Sequence, residues 1–480
     1  MMKGFILCLL AFAVLCSAAP MDHLISALPG LVNSSGVKFR QFAGYVTVDE
    51  SHGRKLFYWF VESQRNPSQD PLVLWMNGGP GSSSLIGFFM EHGPFRARSD
   101  GNIEIYPQSW NNVANVLYVE APAGVGFSTS NNKSDYDTDD QKTAADNYVF
   151  LKNWFELFPE YKKHELYLAG ESYAGHYIPT LVHEILVRDT EKSLNVCGLM
   201  LGDPLTNQDS FLPFLPGQDA WAYMGFFFHH GLISQESYEL AFKECDFATS
   251  MMDCSGNYSS KSDECWNAIF TAIAELPDPL DYYNIDAEVC ESDGLSRLQY
   301  TAQWSGITRF AMNKMMKAPK ARIPQPVTYE QNNKVDPCLE NYIPLYLNRD
   351  EVQKAIHADK MKWKQSGGIH YGTIDDNMIP IYHEIFNNPR TSSWRILVYS
   401  GDFDVVVPFL STQRWVRCLG RPVTKPWHSW MIGKQVGGNI IEYDRISFLT
   451  IKGSGHTVPY YTPDKGLAFF QLWIDKQDFY

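Results

Sequence analysis

The stretch Leu166-Tyr167-Leu168-Ala169-Gly170-Glu171-Ser172-Tyr173-Ala174-Gly175 is an apolar run that breaks at a glycine and presents a serine. A short apolar run reads as a buried strand, and the glycine break reads as a strand-to-helix turn. A serine on such a turn has its hydroxyl pushed out above the sheet edge, where a base and a substrate reach it. The segment therefore predicts a nucleophile, with an ordinary βα turn and a solvated serine as the plain alternative.

Two further junctions supply what a nucleophilic serine needs. Trp394-Arg395-Ile396-Leu397-Val398-Tyr399 runs into Ser400-Gly401-Asp402-Phe403-Asp404, and Ile446-Ser447-Phe448-Leu449-Thr450-Ile451 runs into Gly453-Ser454-Gly455-His456. The chain order serine, aspartate, histidine, each after an apolar run, is that of the α/β-hydrolase fold. Either acid or histidine alone in a glycine-rich loop is ordinary turn chemistry. Asp402 follows glycine directly and suits a turn cap. Asp404 lies beyond the turn, where it can lean towards His456, and is taken as the third member.

Outward from these junctions, Phe42–Val48 and Lys55–Glu62 read as a hairpin around Ser51-His52-Gly53. Strands are predicted at Pro71–Met76, Asn115–Glu120 and Val196–Leu201, with helices at Asp140–Phe158 and Ile178–Val187. Alternating strands and helices imply a mostly parallel central sheet with helices on both faces. The alternation lapses after Gly202 and resumes near Tyr346, with a helix from about Glu351. Residues 20–204 and 336–480 are read as two parts of one core, and 205–335 as an inserted cap subdomain. Within it, Lys314–Arg322 is expected to be exposed and protease-sensitive.

Residues 1–19 read as a secretory signal peptide: Lys3, an apolar core from Phe5 to Leu15, then Ser17-Ala18-Ala19. No later stretch reads as a membrane span, so no membrane insertion is expected. A net charge of −14 argues against nucleic acid and against anionic membranes as partners. Nine cysteines become seven without Cys8 and Cys16. Cys245, Cys254, Cys265 and Cys290 cluster in a polar stretch, as disulfides do in an oxidising compartment. The pairs Cys245–Cys254 and Cys265–Cys290 are expected, Cys197 reads as a buried thiol, and Cys338 and Cys418 are unassigned. Sequons at Asn33, Asn132 and Asn257 suit a glycoprotein of the secretory pathway. The assembled state is not legible, and a homodimer stays open.

Metal and cofactor chemistry find no pattern. His183-Glu184 lacks a second histidine four residues on, and the adjacent His229-His230 would not face one metal on a helix. Gly78, Gly79 and Gly81 precede no Lys-Ser or Lys-Thr pair. No cofactor and no metal are expected.

Several segments together carry a family resemblance. They are Trp75-Met76-Asn77-Gly78-Gly79-Pro80-Gly81, Glu91-His92-Gly93-Pro94-Phe95, Glu120–Ser128, Gly170–Gly175, Gly401–Asp404 and Gly455-His456-Thr457-Val458-Pro459. In this order they resemble the serine carboxypeptidases of the S10 type, the group of lysosomal cathepsin A and the plant and yeast vacuolar enzymes. The resemblance covers nearly the whole mature chain. It implies Ser172 as nucleophile, His456 as base and Asp404 as its orienter. The backbone N–H groups of Gly79 and Tyr173 would form the oxyanion hole. Asn77, Glu91 and Glu171, with the Gly78 N–H, would hold the terminal carboxylate of a peptide or protein.

Those roles are physically coherent. Consecutive glycines let N–H groups approach a developing oxyanion without a side chain in the way. Two ionised glutamates would repel a carboxylate, whereas protonated ones donate to it. Carboxyls held close raise one another's pKa, which predicts acidic operation and a lysosome-like or vacuole-like destination, or secretion. Two departures stand out. Ser82 occupies the place of a family cysteine whose partner would be Cys338, and Gly202-Asp203 stands where the family tends to have Gly-Asn. Ile86, Phe88 and Phe89 align near the pocket for the departing residue and imply a preference for large apolar ends. Alternatives are an acyltransferase or esterase on the same scaffold, or an added protective role for partner glycosidases.

Overall fold

A computed structural model of the chain describes residues 19–206, 219–252, 254, 262–277, 279–290, 335–372 and 377–479. Ten strands join in one sheet: β1 (Gln41–Asp49), β2 (Arg54–Val61), β3 (Leu72–Met76), β4 (Asn115–Val119), β5 (Leu166–Glu171), β6 (Val196–Gly202), β7 (Arg395–Gly401), β8 (Val423–Ile432), β9 (Gln435–Tyr443) and β10 (Ile446–Ile451). Their spatial order is β8-β9-β10-β7-β6-β5-β3-β4-β2-β1. The six central strands from β10 to β4 run parallel. Antiparallel hairpins close both edges, β1–β2 beside β4 and β8–β9 beside β10.

Burial on both faces explains why the central strands are apolar without alternation. Leu72, Leu74, Leu166 and Leu168 enter one cluster, while Val73, Trp75, Tyr167 and Ala169 point into another. Helix α1 (Asp140–Leu157) covers the first face; its N-terminus is fixed by the Asp139 carboxylate, which accepts from Lys142 N at 2.8 Å. Helix α2 (Ala174–Arg188) lies on the same face. The last helix, Pro463–Ile474, covers the other with Phe469, Phe470 and Trp473.

Two elements differ from expectation. Helix α2 starts directly after the serine turn and carries Pro179 inside it, four residues before the predicted start at Ile178. The proline reads locally as a first-turn residue, but continuous burial from Ala174 to Val182 holds the extra turn in place. The edge hairpin β8–β9 was not foreseen, because β8 is largely exposed and interrupted by Pro426.

After β6 the chain leaves the sheet. Helices α3 (Ala220–His229), α4 (Gln235–Glu244), α5 (Phe247–Met252) and α6 (Asp263–Ile273) build a third apolar cluster, which also takes in Val405 beside Asp404. Asp219 pairs at 2.6 Å with Arg414 of α8 (Phe409–Cys418), which follows α7 (Leu339–Leu347); both side chains are buried. The predicted signal peptide apart from Ala19, the Lys314–Arg322 segment and the Asn257 sequon lie outside the described residues. Asn33 is exposed, and Asn132 caps the short turn Lys133–Tyr136. Among the described residues no helix is long and apolar enough to cross a membrane.

The cysteine pairing corrects the sequence reading. The bridges are Cys245–Cys265, Cys254–Cys418 and Cys290–Cys338, so neither Cys245–Cys254 nor Cys265–Cys290 forms. Helices α4 and α6 pack side by side and bring the end of one to the first turn of the other, with a Cα–Cα distance of 4.7 Å for Cys245–Cys265. Helix packing, not nearness in sequence, selects the partner. The other two bridges tie the inserted helices to α8 and to the start of α7. Cys197 is unpaired and only half-buried, less enclosed than expected. Non-reducing peptide mapping should recover these three disulfide peptides, with Cys197 alone alkylated among the seven.

Glu120, just past β4, is fully buried and accepts from Phe127 N at 2.6 Å, Trp363 Nε1 at 2.8 Å and Ser83 Oγ. Burial outweighs these donors and pushes its carboxyl up from 4.5 to about 7. The native state thus keeps a proton that the unfolded chain releases. Stability from this group is present below pH 4.5 and is lost as pH rises through about 7, by roughly 3 kcal/mol in total. Calorimetry should show Tm falling between about pH 5 and 7, and Glu120→Gln should flatten that slope. Parallel slopes for the two proteins would contradict it.

Candidate active site

Ser172 sits between β5 and α2 with φ of 59°. A non-glycine residue there costs about 1–3 kcal/mol, and it persists because a buried strand and a buried helix fix the chain on either side. The main chain clamps the turn: Ser172 N donates to Gly202 O at 2.9 Å, and Leu205 N donates to Ser172 O at 2.9 Å. The end of β6 is therefore locked to the serine.

Asp404 lies past β7 and is completely buried. His456, past β10, donates from Nδ1 to Asp404 Oδ2 at 2.8 Å. Val406 N and Val407 N donate to the same carboxylate at 2.7 and 3.2 Å. Three donors converge on Asp404, and the bond from Nδ1 sets the ring orientation of His456. Asp402 instead receives Gly453 N at 2.6 Å and Ser454 N at 3.3 Å, joining the two loops as a turn cap. The inserted stretch grips both loops: His456 N donates to Tyr283 O at 2.7 Å and Val405 N to Tyr282 O at 3.0 Å. No signal in the sequence marks 281–285 for that role, because the two bonds that grip the loops are made by main-chain carbonyls.

The glycines after β3 stand against the serine. A methyl on Gly78 would lie 2.3 Å from Tyr173 N and 3.0 Å from Ser172 Cβ. Gly79 has φ of 114°, a conformation that favours glycine. Gly78 thus brings main chain, not a side chain, to the serine turn. Ser82, at the family cysteine position, forms a backbone bridge with Ser366, and Ser83 N donates to Gln365 O at 2.9 Å. Main-chain pairing holds this loop where the family has a disulfide.

Asn77 organises the remaining predicted residues. Its Oδ1 accepts from Trp75 Nε1 at 2.8 Å and from Gly87 N at 3.1 Å, two groups that can only donate. The amide is thereby oriented, and its Nδ2 faces the acids, donating to Glu91 Oε1 and Glu171 Oε1 at 2.8 Å each. Glu91 ends a π-helical turn, Gly87–Glu91, and Glu171 ends β5; both are buried. Among the described residues Oε2 of each has no donor other than the neighbouring carboxyl, with which it is in hydrogen-bonding reach. Burial raises Glu171 well above its usual range, and the neighbouring Glu91 raises it further. Burial also raises Glu91, opposed by Asn77 and Arg96. Both carboxyls are thus pushed towards holding a proton, and the pair resists carrying two charges.

Of the residues aligned near the departing side chain, Phe88 and Phe89 do not face a pocket. Both are fully buried, packed on Trp59 with ring centroids 4.4 and 5.6 Å away. Ile86 alone retains slight exposure, at 7%. The sequence reading missed Asp203, which is buried beside Asp404 and His456. Its one signal was the departure at Gly202-Asp203.

A parallel sheet bearing serine, aspartate and histidine on loops at one edge defines an α/β-hydrolase. Residues 29–476 match the family model described as serine carboxypeptidase, and the chain belongs to that family. It is 38% identical to serine carboxypeptidase-like 38 of Arabidopsis thaliana over 94% of this chain and 85% of that protein. It is 35% identical to serine carboxypeptidase 1 of Hordeum vulgare over 95% of this chain and 93% of that one. The crystal structure of Kex1Δp, a prohormone-processing carboxypeptidase of Saccharomyces cerevisiae, superposes with a TM-score of 0.69 at 19% identity, covering 95% of this chain and 96% of that chain. This last likeness is one of fold.

Since a methyl on Gly78 meets the main chain of the elbow, Gly78→Ala should slow labelling of Ser172 by a fluorophosphonate by about 10²-fold or more. Native-state near-UV circular dichroism should be retained.

Proposed function

We propose that this protein is a serine carboxypeptidase that hydrolyses the last peptide bond of chains ending in a free carboxylate, through an acyl-enzyme and at acidic pH. Ser172 Oγ attacks the carbonyl carbon while His456 takes its proton, and Asp404 holds the ring in register for the transfer. The N–H groups of Gly79 and Tyr173 receive the developing oxyanion. His456 returns the proton to the departing amine, then activates the water that releases the acyl group.

The observation that carries this reading is the Asn77 amide holding two buried carboxyls against each other, each with one oxygen that no other described group donates to. Such a pair repels a carboxylate when ionised and donates to it when protonated. The raised pKa of both acids supports binding at low pH and loss of binding as pH rises. Ile86 supports a preference for large apolar departing residues, an effect of about 10–200-fold at most. Residues 205–335 would act as a cap over the site, in a secretory product working in a lysosome-like or vacuole-like compartment. The three disulfides fit that route.

The test compares a blocked dipeptide bearing a free C-terminus with its C-terminal amide, from pH 4 to 8. The free acid should turn over far faster at acidic pH, with KM climbing as pH rises, and Glu171→Gln should weaken that climb. Ser172→Ala should lower kcat by roughly 10⁴-fold or more. Equal turnover of acid and amide, with esters cleaved well, would move the assignment to an esterase or acyltransferase.

A further inference from the structure

Asp203 is a buried acid that the mechanism above does not use. It follows β6 with φ of 42°, and its side chain is wholly inaccessible. Oδ1 accepts from Gly401 N at 3.0 Å, at the end of the strand that leads to Asp404. Among the described residues Oδ2 has no donor, and the Asp404 carboxylate is in hydrogen-bonding reach of this side chain. Single side-chain atoms of Asp203, Asp404 and His456 all lie within 4.8 Å of one another. The groups facing Asp203 are Asp404 and His456 from the loops after β7 and β10, Glu171 from β5 and Tyr399 from β7. Among the described residues none of these is a lysine or an arginine.

Asp404 already accepts three hydrogen bonds as a carboxylate. A second carboxylate against it, buried and served by one backbone donor, would repel it out of register with His456. A protonated Asp203 does the opposite, because its O–H finds an acceptor in Asp404. We propose that Asp203 is a positioning residue of the triad: its carboxyl holds a proton, donates it as a hydrogen bond to the Asp404 carboxylate, and releases the triad from register when that proton is lost. Burial and the facing Asp404 charge both hold the Asp203 carboxyl well above its usual range, in agreement with this geometry.

The inference rests on the triad proposed above, but not on the carboxylate clamp, so it sets a second and independent ceiling on the working pH. It also accounts for the departure at this position. An asparagine there donates at every pH, whereas the aspartate donates only while protonated.

The test reads Ser172 reactivity without any substrate carboxylate: the rate of fluorophosphonate labelling, followed from pH 4 to 9, for the wild type, Asp203→Asn and Asp203→Ala. The wild type should lose labelling on the alkaline side. Asp203→Asn, nearly isosteric and always a donor, should label at acidic pH and carry its alkaline limb up by about one pH unit or more, the shift a like charge produces. Asp203→Ala should be slower by about tenfold at acidic pH, the equivalent of one hydrogen bond to a charged acceptor. Coincident alkaline limbs for wild type and Asp203→Asn would overturn the proposal. So would an Asp203→Asn protein as slow as Asp203→Ala, or a wild type that never labels. Failure of the clamp reading would appear separately, as equal cleavage of acid and amide with the labelling profiles unchanged.

Discussion

Carboxyl groups buried against one another are the constraint on which this site depends. Glu91, Glu171, Asp203 and Asp404 are all inaccessible or nearly so, and among the described residues no lysine or arginine side chain pairs with any of the four; His456 pairs with Asp404. Arg96 donates from Nη2 to the main-chain carbonyl of Glu91 at 2.5 Å rather than to its side chain. Four negative charges in such a space would cost far more than the fold can supply. The donors are unevenly distributed: Asp404 receives two backbone N–H groups and His456, while among the described residues each of the other three receives one amide N–H.

The architecture serves that distribution. Parallel strands deliver Ser172, Asp404 and His456 to one edge, and covering both faces of the sheet makes those strand ends rigid. The stretch beyond α6 then adds main-chain bonds, with Tyr282 and Tyr283 accepting from the acid and histidine loops. The bridges Cys254–Cys418 and Cys290–Cys338 fasten the insert to the core. The described part of the insert thus supports the acid and histidine loops. Glu120 repeats the theme one loop away, a buried carboxyl that favours the native state when protonated.

Much of this was legible in the sequence. The parallel core shows as unbroken apolar runs, since strands buried on both faces lose the alternation that would otherwise mark them. The choice of Asp404 over Asp402 followed from their places relative to Gly401; in the structure Asp402 caps a turn and Asp404 meets the histidine. What was not legible depended on three-dimensional packing. The partner of Cys245 is set by the antiparallel contact of α4 and α6, which no spacing reveals. Phe88 and Phe89 look like pocket residues in a linear motif, yet turn into the core against Trp59. Asp203 reads as a conservative departure from asparagine, and only its placement against a second carboxylate gives the change a consequence.

The central claim is that protonated carboxyls, not a cation, hold the substrate's terminal carboxylate. Calorimetric titration of Ser172→Ala protein with a blocked dipeptide, in buffers of different ionisation enthalpy, measures it directly. Near neutral pH the free acid should bind with uptake of about one proton, and the C-terminal amide with none. Equal affinity for acid and amide, with no proton exchanged by either, would contradict it.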